Sequence, residues 1–139
     1  LSSVVALDVG ERRIGVAVSD PSGTYSLPHD VIVRTNVRDD VAAIVALARE
    51  RAARTIVVGD PLTLEGKRGP AAAKIDAFVV HLARIFDGTI ARVDERMTTA
   101  GATKALIAAD VSRARRKKVV DQLAAAAILD TYLARHRNG

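Results

Sequence analysis

Three acidic positions in this chain are hard to explain by solvation alone. Asp8 sits inside an apolar, β-branched run, Val4 to Val9, and is followed at once by Gly10. Strand alternation puts Val4, Ala6 and Asp8 on one face and Val5, Leu7 and Val9 on the other, so the carboxylate shares a face with packing residues. A second run, "GTIARV" from Gly88 to Val93, ends in Asp94-Glu95-Arg96. If Ala91 and Val93 share a face, Glu95 extends it and Asp94 points away. Asp121, in "KKVVDQLAAAAILD", falls at helical spacing with Ala125, Ile128 and Tyr132, a mostly apolar face. Two readings stand for Asp121: an acid placed for the helix dipole near an N-terminus, or a ligand shared with the other two.

Carboxylates gathered around one cavity repel one another unless a cation neutralises them. Oxygen-only ligation selects hard ions, Mg²⁺ or Mn²⁺. The chain has no cysteine, and its histidines, His29, His81 and His136, have no zinc-site spacing and are read as structural. Two such ions about 4 Å apart would stabilise the attacking water and the leaving oxygen of a phosphodiester. Asp8, Glu95 and Asp121 are therefore the expected catalytic and metal-binding residues, and the cation accounts for a carboxylate in an apolar strand.

The formal net charge of +5 favours a polyanionic partner. Arg12 and Arg13 lie in the turn "GERR", Lys67 and Arg68 between Gly66 and Gly69, and Arg96 beside Glu95. The densest basic run, "SRARRKK", carries Arg113, Arg115, Arg116, Lys117 and Lys118 just ahead of Asp121. All ten are candidates for contact with a nucleic-acid backbone. Each also has an ordinary reading: charged hairpin tips and solvated loops for most, and a pair with Asp94 for Arg96. Only two Phe and two Tyr are present, with no Trp, so a base-stacking platform is not expected.

These residues must be held by a scaffold that 139 residues can build as one domain. The chain contains no repeat, no linker and no apolar stretch of membrane-spanning length, and a soluble, cytoplasmic protein without membrane contact is expected. Three neighbouring strands come first: Val4–Val9, Ile14–Ser19, and about Tyr25–Val33, where Pro28 marks an edge or a bulge. A helix capped by Asn36 follows, with Val41, Ile44, Val45 and Ala48 on its packing face. Then come the strand Thr55–Gly59, a helix from Pro70 with Ile75, Phe78, Val79, Leu82, Ile85 and Phe86 on one stripe, and the strand Gly88–Val93. Helices over about Thr99–Ala109 and Lys118–Arg135 complete the order βββαβαβαα. The expected fold is α/β and ribonuclease H-like: a five-stranded mixed sheet with helices on both faces. In that topology the fourth strand lies beside the first and the fifth beside the fourth, so both strand-end acids share one rim. Asp60, ahead of Pro61, is read as a turn residue rather than as a further carboxylate near the substrate.

Four segments, in order, resemble the YqgF family, also called RuvX: "LDVGERRIGVAVSD" (Leu7 to Asp20), "IVVGDPLTLEGKRG" (Ile56 to Gly69), "DERMTT" (Asp94 to Thr99) and "KKVVDQLAAAAIL" (Lys117 to Leu129). The resemblance spans nearly the whole chain. It implies a ribonuclease H-like nuclease with its acid triad at Asp8, Glu95 and Asp121, acting on pre-16S rRNA or, as a second substrate, on Holliday junctions. Asp60 departs from it, since the family usually has an apolar residue there. A resolvase of a symmetric four-way junction is expected to act as a two-fold homodimer. Two other classes compete: a nucleotide-binding module of the kinase or actin type, which normally needs two domains, and a non-catalytic nucleic-acid-binding factor acting in transcription, which would not need the acids.

Overall fold

The computed structural model describes residues 3–62, 65–97 and 113–137. Its centre is a five-stranded mixed sheet in the order β3-β2-β1-β4-β5, formed by β1 (Val4–Val9), β2 (Arg13–Ser19), β3 (Ser26–Val33), β4 (Thr55–Asp60) and β5 (Thr89–Asp94). A tight turn joins β1 to β2, with Gly10 N–H donating to Arg13 O at 2.9 Å. The hairpin register sets Asp8 opposite Gly15. Parallel pairing needs a crossover, and two helices supply it: α1 (Val37–Glu50) returns the chain to β4 beside β1, and α2 (Pro70–Ile85) returns it to β5 beside β4.

Pro28 lies in the edge strand β3, where its missing N–H costs no ladder bond. The register moves two residues along β2 and three along β3 between the pairs Ile14↔Ile32 and Val16↔His29. Asp30 and Val31 together therefore face Gly15, a bulge at the position that also faces Asp8.

Alternation divides the core into two. Val5, Leu7, Ile56 and Val58 pack under Val41, Ile44, Val45 and Ala48 of α1 and Ile75, Phe78 and Leu82 of α2. Val4, Ala6, Val57 and Val93 pack against Ala125, Ile128, Leu129 and Leu133 of α3 (Arg113–Arg137) on the opposite face. Helices thus cover both sides of the sheet. Asn36 caps α1 as expected, accepting from Asp39 N–H at 2.9 Å. On α2 the expected stripe ends early: Ile85 is exposed, and Phe86, just past the helix, closes that core instead.

The last helix differs from expectation at its start. It begins at Arg113 rather than near Lys118, so the basic run is helical backbone and not a loop, and Asp121 lies in the third turn. That removes the dipole-capping reading of Asp121, because orphan N–H groups and the dipole's positive end belong to the first turn. The helix expected over Thr99–Ala109 lies outside the described residues.

Candidate active site at the carboxyl rim of the sheet

Asp8 is the penultimate residue of β1 and is buried, on the face covered by α3. Glu95 follows β5 in a short 3₁₀ turn, Glu95–Met97. Its side chain crosses Gly59 of β4, where an added Cβ would stand 2.7 Å from Oε1. Asp121 crosses Gly15 of β2, where an added Cβ would stand 2.1 Å from the Asp121 carbonyl oxygen. Glycines at those two positions let the glutamate and the helix descend onto the strands flanking Asp8. As a result Asp8, Glu95 and Asp121 line one cleft of about 450 Å³ at the carboxyl ends of β1 and β4.

Asp94 is engaged elsewhere, as alternation requires. Its Oδ1 accepts the Arg96 backbone N–H at 2.9 Å and its Oδ2 takes Arg96 Nη2 at 2.6 Å. The adjacent guanidinium, opposed only in part by desolvation, holds the Asp94 carboxyl below its ordinary value. Glu95 is the acid that reaches the cleft.

The donor set is carboxylate oxygen alone, which suits a hard divalent ion. The three groups are not drawn together into a ready-made cluster: among the described residues no three acidic or imidazole side chains converge closely enough to hold an ion. Asp121 Oδ2 accepts from Arg13 Nε at 3.1 Å. The residues fit the ion in kind and in placement around the cleft.

Arg34 and Asp40, which belong to no motif, build the wall beside Asp8. Arg34 Nη1 donates to Gly10 O at 2.9 Å and Nε donates to Asp40 Oδ2 at 3.1 Å, while the guanidinium lies 5.3 Å from the Phe78 ring centre. Asp40 is buried in the first turn of α1 and also accepts the Thr35 N–H. Buried charge of this kind persists because it is paired and hydrogen-bonded. The pair fixes the turn that follows Asp8. In sequence Asp40 reads only as an acid near a helix start, with no signal of this role. The same cleft is lined by Lys74, paired with Glu11 at 3.1 Å, and by the N-terminal turn of α2 at Pro70 and Ala71.

Asp60 does more than shape a turn. It is buried on the α1/α2 face, takes Arg68 Nη1 on Oδ2 at 2.6 Å and takes Arg92 Nη2 on Oδ1 at 3.0 Å. Asp76 of α2 pairs with the same two guanidiniums. Arg68 chiefly, then Arg92, holds the Asp76 carboxyl below its ordinary value against desolvation. Four side chains thus tie β4, β5 and α2 to the loop ahead of α2, and Arg68 is engaged in that tie. Asp60→Ala is expected to destabilise the fold by about 1–2 kcal/mol, since it removes a carboxylate partner from the partly buried Arg92 and the exposed Arg68, which retain Asp76. Urea unfolding of the variant would measure it, with the slope against denaturant unchanged.

The other basic candidates are spread around the rim. Arg12 and Lys67 are exposed. Arg13 bonds Asp121, and Arg96 bonds Asp94 while its guanidinium lies over Gly66, which adopts φ +82°. For Arg113, Arg115, Arg116, Lys117 and Lys118 the backbone alone is described, in the helical turns that lead into Asp121. No helix among the described residues is long and apolar enough to cross a membrane.

Known proteins resemble this chain in sequence and in fold. A protein of Clostridium perfringens (strain 13 / Type A) named "Putative pre-16S rRNA nuclease" is 41% identical over 132 residues, covering 95% of this chain and 96% of its own. A Myxococcus xanthus protein of the same name is 41% identical over 133 residues, covering 96% and 88%. Among solved structures, Thermus thermophilus RuvC in complex with a Holliday junction substrate superposes with a TM-score of 0.60 at 14% identity, covering 100% of this chain and 98% of that one. The fowlpox virus Holliday junction resolvase gives 0.55 at 13% identity, covering 95% and 98%. Likeness at that identity speaks to the fold, the ribonuclease H-like sheet expected from the order of elements. Residues 2–135 match the family described as "RuvX: Holliday junction resolvase", and the chain belongs to that family.

Proposed function

We propose that this protein is a divalent-metal-dependent hydrolase that cleaves phosphodiester bonds in structured nucleic acid, and that its substrate is the 5′ end of pre-16S rRNA. The observation that carries this reading is that Asp8, Glu95 and Asp121, drawn from a strand end, a 3₁₀ turn and a helix, line one cleft. Mg²⁺ or Mn²⁺ held by these three carboxylates would supply an activated water and charge neutralisation at the phosphate. The chain's own residues do the rest. Arg34, braced by Asp40, keeps the Gly10 turn in place beside Asp8. Lys74, paired with Glu11, and the N-terminal turn of α2 line the same cleft, and a backbone phosphate can lie at that helix start. The basic residues Arg113 to Lys118, in the helical turns that lead into Asp121, add to the chain's positive charge. With few aromatics, recognition rests on backbone, shape and charge.

The family description favours a second reading, resolution of four-way DNA junctions. Incubating the purified protein with Mg²⁺ or Mn²⁺, against a pre-16S rRNA fragment and a four-way DNA junction, separates the two. Preferential cleavage of the RNA is expected. Preferential, paired cleavage of the junction by a two-fold dimer would establish the resolvase, and a strict monomer in sedimentation would count against it. Tight ATP binding without cleavage of either would revive a nucleotide-binding module.

A further inference from the structure

Arg13 and Asp121 come from distant parts of the chain, yet Arg13 Nε donates to Asp121 Oδ2 at 3.1 Å, with the side chains 28% and 23% exposed. The pair joins the start of β2 to the third turn of α3. It lies in a hollow of about 270 Å³ formed with Gly10, Glu11 and Arg12. That hollow shares Gly10, Glu11 and Asp121 with the acidic cleft, so the guanidinium stands at the edge of the site where the cation would enter.

An ionised carboxylate is an acceptor only, and a guanidinium held on Oδ2 competes with a divalent ion for the same negative charge. We propose that Arg13 is a placeholder cation: it neutralises Asp121 while the metal is absent, and metal binding releases it to hold a backbone phosphate of the nucleic acid at the cleft. This inference rests on the nuclease reading of the site. The freed guanidinium suits that second role, since its planar fork matches phosphate oxygens in two-point contact. Because the ion breaks the pair and the phosphate takes up the released Arg13, each ligand tightens the other by the same factor. The exchange also means that the full charge of the acidic cleft is never left without a counter-charge beside Asp121.

Mn²⁺ titration calorimetry on the intact protein tests this, together with stopped-flow anisotropy of a labelled RNA hairpin, with and without Mn²⁺, read before cleavage. Arg13→Gln is expected to bind Mn²⁺ about fivefold more tightly than wild type, the upper end for a pair of this exposure. It is also expected to lose a similar factor of the gain in RNA affinity that Mn²⁺ gives the wild type. Arg13→Lys, which keeps the competing charge, is expected to bind Mn²⁺ as wild type does, separating loss of charge from any change in the hairpin. Mn²⁺ binding by Arg13→Gln no tighter than wild type, or an undiminished Mn²⁺-dependent gain in RNA affinity, would overturn the proposal. Asp121→Asn reports on the premise: weakened Mn²⁺ binding upholds Asp121 as a ligand, whereas unchanged binding brings down the nuclease reading and the placeholder with it.

Discussion

Asp8→Asn is expected to lower metal-dependent cleavage by at least about a hundredfold while leaving the fold intact. Even residues that only support a metal ligand typically cost about 10–100-fold in affinity or activity when changed, and the proposed function makes Asp8 a direct ligand. The amide keeps the shape of the carboxylate and one of its oxygens, so packing within β1 and the register with Gly15 are preserved. What it removes is the charge, in a buried position where no solvent makes up for it. The thermal midpoint should stay within a few degrees of wild type, measured by circular dichroism beside the cleavage assay on the same preparation. A variant that folds, binds RNA and still cleaves at the wild-type rate would remove Asp8 from the chemistry. If neither protein cleaves but both bind, the non-catalytic binding factor becomes the better account.

Gly15→Ala should be the most damaging small substitution in the sheet. The new methyl would stand 2.1 Å from the carbonyl oxygen, 2.7 Å from the carbonyl carbon and 3.2 Å from the Cα of Asp121. All three are backbone atoms of α3, so no rotamer relieves the clash, and the whole helix must lift off the sheet. Overpacking of this kind costs about 3 kcal/mol or more, the upper part of the usual range. For a domain of this size that corresponds to a drop of roughly 10 °C in thermal midpoint. Because the helix that must move carries Asp121, activity should fall further than the loss of folded protein explains, which cleavage assays well below the melting temperature would reveal. Gly59→Ala should cost less stability, since its new methyl would meet Ile128 Cδ1 at 2.6 Å and Glu95 Oε1 at 2.7 Å, side-chain atoms that can turn away, although turning Glu95 away should itself lower cleavage. A Gly15→Ala protein as stable and as active as wild type would show that α3 does not rest on β2 in this way.

Much of this arrangement is legible in the order of residues, and for one physical reason. Strand alternation and helical periodicity are local, and they sort each residue to a face without knowledge of its neighbours in space. They place Asp8 with Val4 and Ala6, and Glu95 with Ala91 and Val93, on what proves to be the α3 face. Residue type marks Pro28 for an edge or a bulge and Asn36 for a helix cap, and the order of elements, through the fold it implies, sets β1, β4 and β5 side by side at one rim.

Contacts between distant parts of the chain leave no such local mark. Asp121 and Arg13 are 108 residues apart, and neither periodicity nor composition joins them. The same holds for Arg34, just past β3, bracing the Gly10 turn and for Arg92 of β5 crossing to Asp60 of the paired strand β4. Asp60 reads as a turn residue because its sequence neighbour is Pro61, and its burial between two guanidiniums exists only once β5 and α2 are in place. The start of α3 is not legible in the same way, because a basic run has no apolar stripe and helix in such a run is fixed by what the downstream turns pack on. Local pattern therefore settles which acids can meet and on which rim. Tertiary packing alone decides which cation each carboxylate meets, because ion pairing depends on distance through space and not on position along the chain.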